Sequence, residues 1–204
     1  MATNNAELMR QARESLKGKW WLAAEVTIIY IIITGVVHLI PKIGPFAGLI
    51  IGGPVVLGFM MFFLELSRNK NPKIDTIFYG FKKTFFGVSL LAYLLMVLFI
   101  FLWSLLLIVP GIIAAFSYSM TFFIISENDK MKATEAMKLS KKMMNGNKWK
   151  YFCLQLRFIG WGILSLITLG IGLIWFIPYI QTTNAKFYDD IKNNNPENKK
   201  NQIA

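Results

Sequence analysis

Few side chains in this sequence can carry chemistry, and two of them stand where charge is expensive. Glu25 lies five residues beyond Trp20, and Arg157 lies eight beyond Trp149, each inside a long apolar run. If those tryptophans mark a membrane interface, a helical rise of 1.5 Å per residue puts the charges roughly 7 and 12 Å in. Ionisable groups at such depth pair or face water. Two readings follow. Glu25 and Arg157 form a polar site in a cavity open to the cytoplasm, or they serve structure, as an ion pair or as two side chains reaching separately to headgroups. Gln155 is close enough in sequence to help satisfy either arrangement.

The remaining reactive types are scattered. His38 is the sole histidine and Cys153 the sole cysteine, at opposite ends of their apolar runs. A metal centre needs several converging ligands, and one cysteine forms no internal disulfide. The sequence has no His-Glu-x-x-His helix, no Gly-x-Ser-x-Gly elbow and no phosphate loop ending in Gly-Lys-Ser/Thr. Asp189-Asp190 and Glu127-x-Asp129 read as solvated helix ends. The expectation is a chain with no catalytic residues, no metal and no cofactor, hence not an enzyme.

The elements that would position these residues are membrane helices. The chain has 204 residues, 55% hydrophobic and 16% charged, with mean hydropathy +0.49. Soluble domains carry more charge, and here the apolar residues fall in runs long enough to cross about 30 Å of hydrocarbon. No small-residue cleavage site follows the first run, so it is expected to remain as an anchor. We expect spans at about 20–40, 45–66, 86–109, 112–126, 149–167 and 172–190, with a polar cytoplasmic tail at 193–204. Pro110-Gly111 splits the third run, and 168–172 splits the last. The fold class expected is an all-α integral membrane protein of three antiparallel transmembrane hairpins, each preceded by a cytoplasmic amphipathic helix.

Charge supports that division. Of the lysines and arginines, only Lys42 falls in an expected outer turn; the others flank the inner side, which places both termini in the cytoplasm. The net charge of +11 then reflects topology and attraction to anionic headgroups, not nucleic acid. The aromatic residues Trp20, Phe85 and Trp149, which begin the odd-numbered spans, are 65 and 64 residues apart. That spacing suggests three repeats of interfacial helix, helix in, turn and helix out, although any three hairpins would share some of the rhythm.

The stretch from Ala133 to Met144 is the clearest amphipathic helix. Ala133, Ala136, Met137, Ser140, Met143 and Met144 fall on one side, Lys138, Lys141 and Lys142 mostly on another, and Gly146 provides a stop. With Lys148 and Lys150, these lysines are candidate contacts to lipid headgroups; the methionines could instead bind a protein partner. Gly44, Gly48 and Gly52, and Gly111, Ala115 and Ser119, repeat small residues every four positions and suit close helix packing, within the chain or in a homo-oligomer. Pro54 is expected to kink the second span.

Leu107-Ile108-Val109-Pro110-Gly111-Ile112-Ile113, Glu135-Ala136 with Ser140, Gly146-Asn147 and Phe187-Tyr188-Asp189-Asp190 carry a resemblance. The chain resembles the bacterial membrane family called domain of unknown function 975. More loosely it is similar to the membrane domain preceding some glycerophosphodiester phosphodiesterases. The resemblance implies a multi-spanning protein of the bacterial cytoplasmic membrane and supplies no catalytic residues. The leading expectation is a non-enzymatic accessory, envelope-stress or peptide-resistance factor acting through anionic lipid or a membrane partner. The alternative is a small oligomeric transporter or channel using Glu25 and Arg157.

Overall fold

The structure is a computed structural model that describes residues 3–39, 44–128, 130–168 and 170–194. All regular elements among them are helical: α1 (Asn5–Leu16), α2 (Trp20–Leu39), α3 (Gly44–Ser67), a 3₁₀ segment (Ile74–Phe81), α4 (Lys83–Leu106), α5 (Ile108–Tyr118), α6 (Thr121–Glu127), α7 (Ala133–Met144), α8 (Lys148–Ile167) and α9 (Leu173–Asn193). Four stretches are long and apolar enough to cross a membrane: Trp20–Val37, Phe46–Ser67, Lys83–Leu106 and Ile108–Glu127. The Pro41-Lys42 turn, Asp129 and the tail beyond 194 lie outside the described residues.

Local chemistry sets the helix ends. The Asn4 side chain accepts from the Ala6 N–H at 3.1 Å and opens α1. Glu135 reaches back to accept from the Lys132 N–H at the start of α7. Gly18 and Gly146, at φ +77° and +78°, end α1 and α7 in the left-handed conformation that glycine tolerates.

The turn expected at Pro110-Gly111 sits earlier. The chain reverses at Leu107, which is extended, and Pro110 falls in the first turn of α5, where its missing N–H costs little. Gly111 instead allows close packing: a Cβ there would lie 2.1 Å from Ser104 Oγ. A second difference is a break at Ser119-Met120, which divides the expected fourth helix into α5 and α6. Ser140 of α7 repairs it. Its hydroxyl donates to the Ser117 carbonyl at 2.8 Å and accepts from the Met120 N–H at 3.2 Å.

The repeat is plainest between the first and third units. At a constant offset of 128 residues, Asn5, Leu8, Ala12, Ser15 and Leu16 of α1 correspond to Ala133, Ala136, Ser140, Met143 and Met144 of α7, and all ten are buried. Gly18 matches Gly146, and the exposed Trp21 matches the exposed Trp149. The middle unit departs, with a 3₁₀ segment in place of an α-helix.

The units close on one another in a ring. Each amphipathic element packs on the second helix of the unit before it: the 3₁₀ segment on α3, α7 on α5 and α6, and α1 on α9. The first helices follow, with α4 on α3, α8 on α5 and α2 on α9. Helix α1 runs antiparallel to α9, since Thr3 bonds to Asp190 while the Arg13 guanidinium lies over the Tyr179 ring. The ends of α3, α6 and α9 converge on a core of Phe62, Phe63, Phe123, Phe187 and Tyr188, with Phe123 stacked on Tyr188. Burial is concentrated at this end. The opposite halves of α2, α4 and α8 present exposed Ile32, Leu105 and Ile167.

Candidate functional site

The polar end of the bundle is organised by charge. Arg68, just beyond α3, donates from Nε (3.1 Å) and Nη2 (2.6 Å) to the two carboxylate oxygens of Asp189 on α9, and from Nη2 to Glu127 at the end of α6 (2.6 Å). Lys192 donates to the other Glu127 oxygen at 2.6 Å, and the Tyr188 hydroxyl bonds to it as well. The Asp189 hydrogen bonds, foremost, hold the Arg68 guanidinium protonated more firmly than usual. A second cluster joins Lys150 Nζ to Asp190 at 2.6 Å, where Asp190 also accepts from the Thr3 N–H and hydroxyl. Glu127, Asp189 and Asp190 are thus not solvated ends: their side chains are 21%, 22% and 5% exposed, and they tie three units together. Their types and positions give no such signal, because the partners lie 40 to 187 residues away in sequence.

Glu25 and Arg157 do not meet. Both are exposed on helix surfaces, and no ion pair joins them. Both helices pack on α9, but α2 otherwise lies on α3 and α8 on α5. Gln155 turns to Asn184, donating to its side-chain oxygen at 2.9 Å. His38 falls within α2, its side chain outside the described residues. Cys153 is a free, half-buried thiol. No group of three or more potential metal ligands occurs among the described residues.

The small-residue positions divide. Gly52 faces Tyr93 of α4, and Gly48 borders a cavity of about 60 Å³ between α2, α3 and α4. On α5 the buried stripe is Gly111, Ala114 and Ser117, spaced by three; Ala115 and Ser119 are half-buried.

The lysines also separate. Lys150 is taken by Asp190. Lys138 and Lys141 are exposed on α7 and, like Lys148 at the start of α8, have no carboxylate partner among the described residues. Lys141 and Lys148 rim an open groove of about 330 Å³ whose wall includes Trp103, Pro110, Ile113 and Tyr118 of α4 and α5. A neighbouring hollow of about 240 Å³ continues past Lys138 to Phe99. Lys142 is exposed on the same helix. An apolar channel with unneutralised cations along one edge has the chemistry of an amphiphilic anion site.

Four stretches long and apolar enough to cross a membrane, beside a basic amphipathic helix, point to membrane association. The chain belongs to the family described as Protein of unknown function (DUF975), which matches residues 1–117 and 105–195. No curated protein and no solved structure matches the chain. The looser similarity to the phosphodiesterase-linked membrane domain is not shown by these comparisons.

Proposed function

We propose that this chain is a non-enzymatic protein of the bacterial cytoplasmic membrane that crosses the bilayer six times and acts by holding anionic phospholipid on its basic inner face, as an accessory or envelope factor. One observation carries the reading: Lys138, Lys141 and Lys148, without carboxylate partners among the described residues, edge the apolar groove between α7, α4 and α5. Headgroup phosphate satisfies the cations while an acyl chain covers Trp103 and Ile113, a combination that a soluble anion cannot match. The two less apolar helices, α8 and α9, have 20 and 21 residues and are not among the four membrane-length apolar stretches, so the count of six rests on the distribution of lysine and arginine. The convergence of α3, α6 and α9 is filled by aromatic side chains, which favours a lipid-holding role over a conducting path.

Native mass spectrometry of the detergent-purified protein, offered equal phosphatidylglycerol and phosphatidylcholine, tests this. Preferential retention of phosphatidylglycerol, weakened when Lys138, Lys141 and Lys148 are all changed to Gln, is the expected result. Equal retention of both lipids, or no effect of the triple change, overturns it.

A further inference from the structure

The 128-residue repeat carries Arg13 onto Lys141 and Trp20 onto Lys148, the two basic residues that rim the groove beside α7. Arg13 and Trp20 themselves border an open groove of about 260 Å³, at the equivalent seam of the ring, where α1 and α2 meet α9. Its wall is formed by Trp161 and Ser165 of α8 and by Trp175, Phe176 and Tyr179 of α9. Here too the preceding unit supplies the wall and the amphipathic helix supplies the cation.

We propose that this seam is a second anionic-phospholipid site, pseudo-equivalent to the first, so that one chain holds two lipids. Arg13 is exposed, has no carboxylate partner among the described residues, and lies with its Cζ 5.6 Å from the Tyr179 ring centroid. Stacking on the ring leaves the guanidinium edge, with its fork of donors, for a phosphate. The wall is mostly aromatic, and the Ser165 hydroxyl is spent on the Trp161 carbonyl at 2.8 Å. Trp161 and Trp175 are 55% and 39% exposed beside that cation, apolar surface that an acyl chain can cover. A soluble phosphate has no use for three indoles; a phospholipid covers them with its chain. The third seam of the ring is narrow: its cavity between α2, α3 and α4 is only about 60 Å³ and has no basic residue among the described residues of its lining. There the 3₁₀ segment lies so close to α3 that a Cβ on Gly58 would come within 1.9 Å of the Ile77 carbonyl oxygen, and one on Gly80 within 1.9 Å of the Pro54 oxygen. Two lipids, not three, follow.

The proposal rests on the reading of the α7 groove, and its test separates the two. Phosphatidylglycerol is titrated onto the full-length protein and bound lipids are counted by native mass spectrometry, with glycerol phosphate as a soluble competitor. Two tightly held lipids are expected, undisplaced by glycerol phosphate. Arg13→Gln weakens one of them about fivefold, the share of one basic residue in headgroup attraction. Arg13→Lys restores it, which shows that the loss is of charge and not of fold. Lys141→Gln with Lys148→Gln weakens the other. A wild-type count of one, or an Arg13→Gln protein that binds two lipids as tightly as wild type, overturns the second site and leaves the first standing. Failure of the lysine variant to weaken either lipid overturns the α7 reading instead.

Discussion

Arg68 grips Asp189 with two hydrogen bonds, at 3.1 and 2.6 Å, across 121 residues of sequence. The fork of a guanidinium matches both oxygens of one carboxylate, and the same Nη2 reaches Glu127, so one side chain joins the ends of α3, α6 and α9. Arg68→Met strands Asp189 and leaves Glu127 to Lys192 and Tyr188. Because the groups are partly exposed, the expected cost is about 1–2 kcal/mol, read as a lowered midpoint in thermal unfolding of the detergent-solubilised protein. Arg68→Lys recovers only part, since an ammonium cannot bond bidentately.

The Lys150–Asp190 pair is more deeply set, with the Asp190 side chain 5% exposed. Removing the lysine alone, as Lys150→Met, should destabilise by about 3 kcal/mol, because an uncompensated carboxylate remains. Lys150→Met combined with Asp190→Leu should be less damaging than the single change. The unfolding midpoints of the three proteins decide this, and a double variant worse than Lys150→Met contradicts it.

Ser140→Ala removes the hydroxyl that joins both sides of the α5–α6 break. The Ser117 carbonyl and the Met120 N–H then lose a partner in a fully buried place, at about 1–3 kcal/mol. Backbone hydrogen exchange should rise at Ser119 and Met120. Ser140→Thr keeps the hydroxyl and should protect them.

Gly58→Ala places a methyl group where the Ile77 carbonyl stands. Both contacting groups are backbone, so the 3₁₀ segment must move away from α3. We expect loss of folded protein in detergent, measured by gel-filtration recovery, whereas Gly87→Ala, where nothing lies within 4 Å, should be tolerated.

The six-crossing topology has its own measurement. Reporter fusions after Asn71 and Asn145 should both report the cytoplasm, as should one at the C-terminal end. An external report from either internal position contradicts the topology.

Much of the architecture was readable in the sequence because it is written in local patterns. The amphipathic spacing of Ala133 to Met144, the stop at Gly146 and the apolar runs after Trp20 and Trp149 each specify an element by themselves, and the structure has helices there. The α5–α6 break was not readable, because its cause is Ser140 on another helix. The positions of Glu127, Asp189 and Asp190 suggested free ends for the same reason: whether a carboxylate at a helix end is solvated depends on what folds against it. Glu25 and Arg157 drew attention by rarity alone, and rarity does not bring two helices together. Arg13 was counted only as one more inner-side charge; the signal that distinguishes it is the offset to Lys141, which appears once α1 and α7 are aligned.

The ring also fixes an order of events. Helix α1 is made well before its partner α9, and the Thr3–Asp190 contact joins positions 187 apart. Twelve residues of helix are barely stable alone in water. Until α9 is made, then, the apolar face of α1 lacks its largest partner. The closing contact acts as a latch: it can form only once α9 has been made, and a product cut short before α9 would leave the apolar face of α1 without that partner.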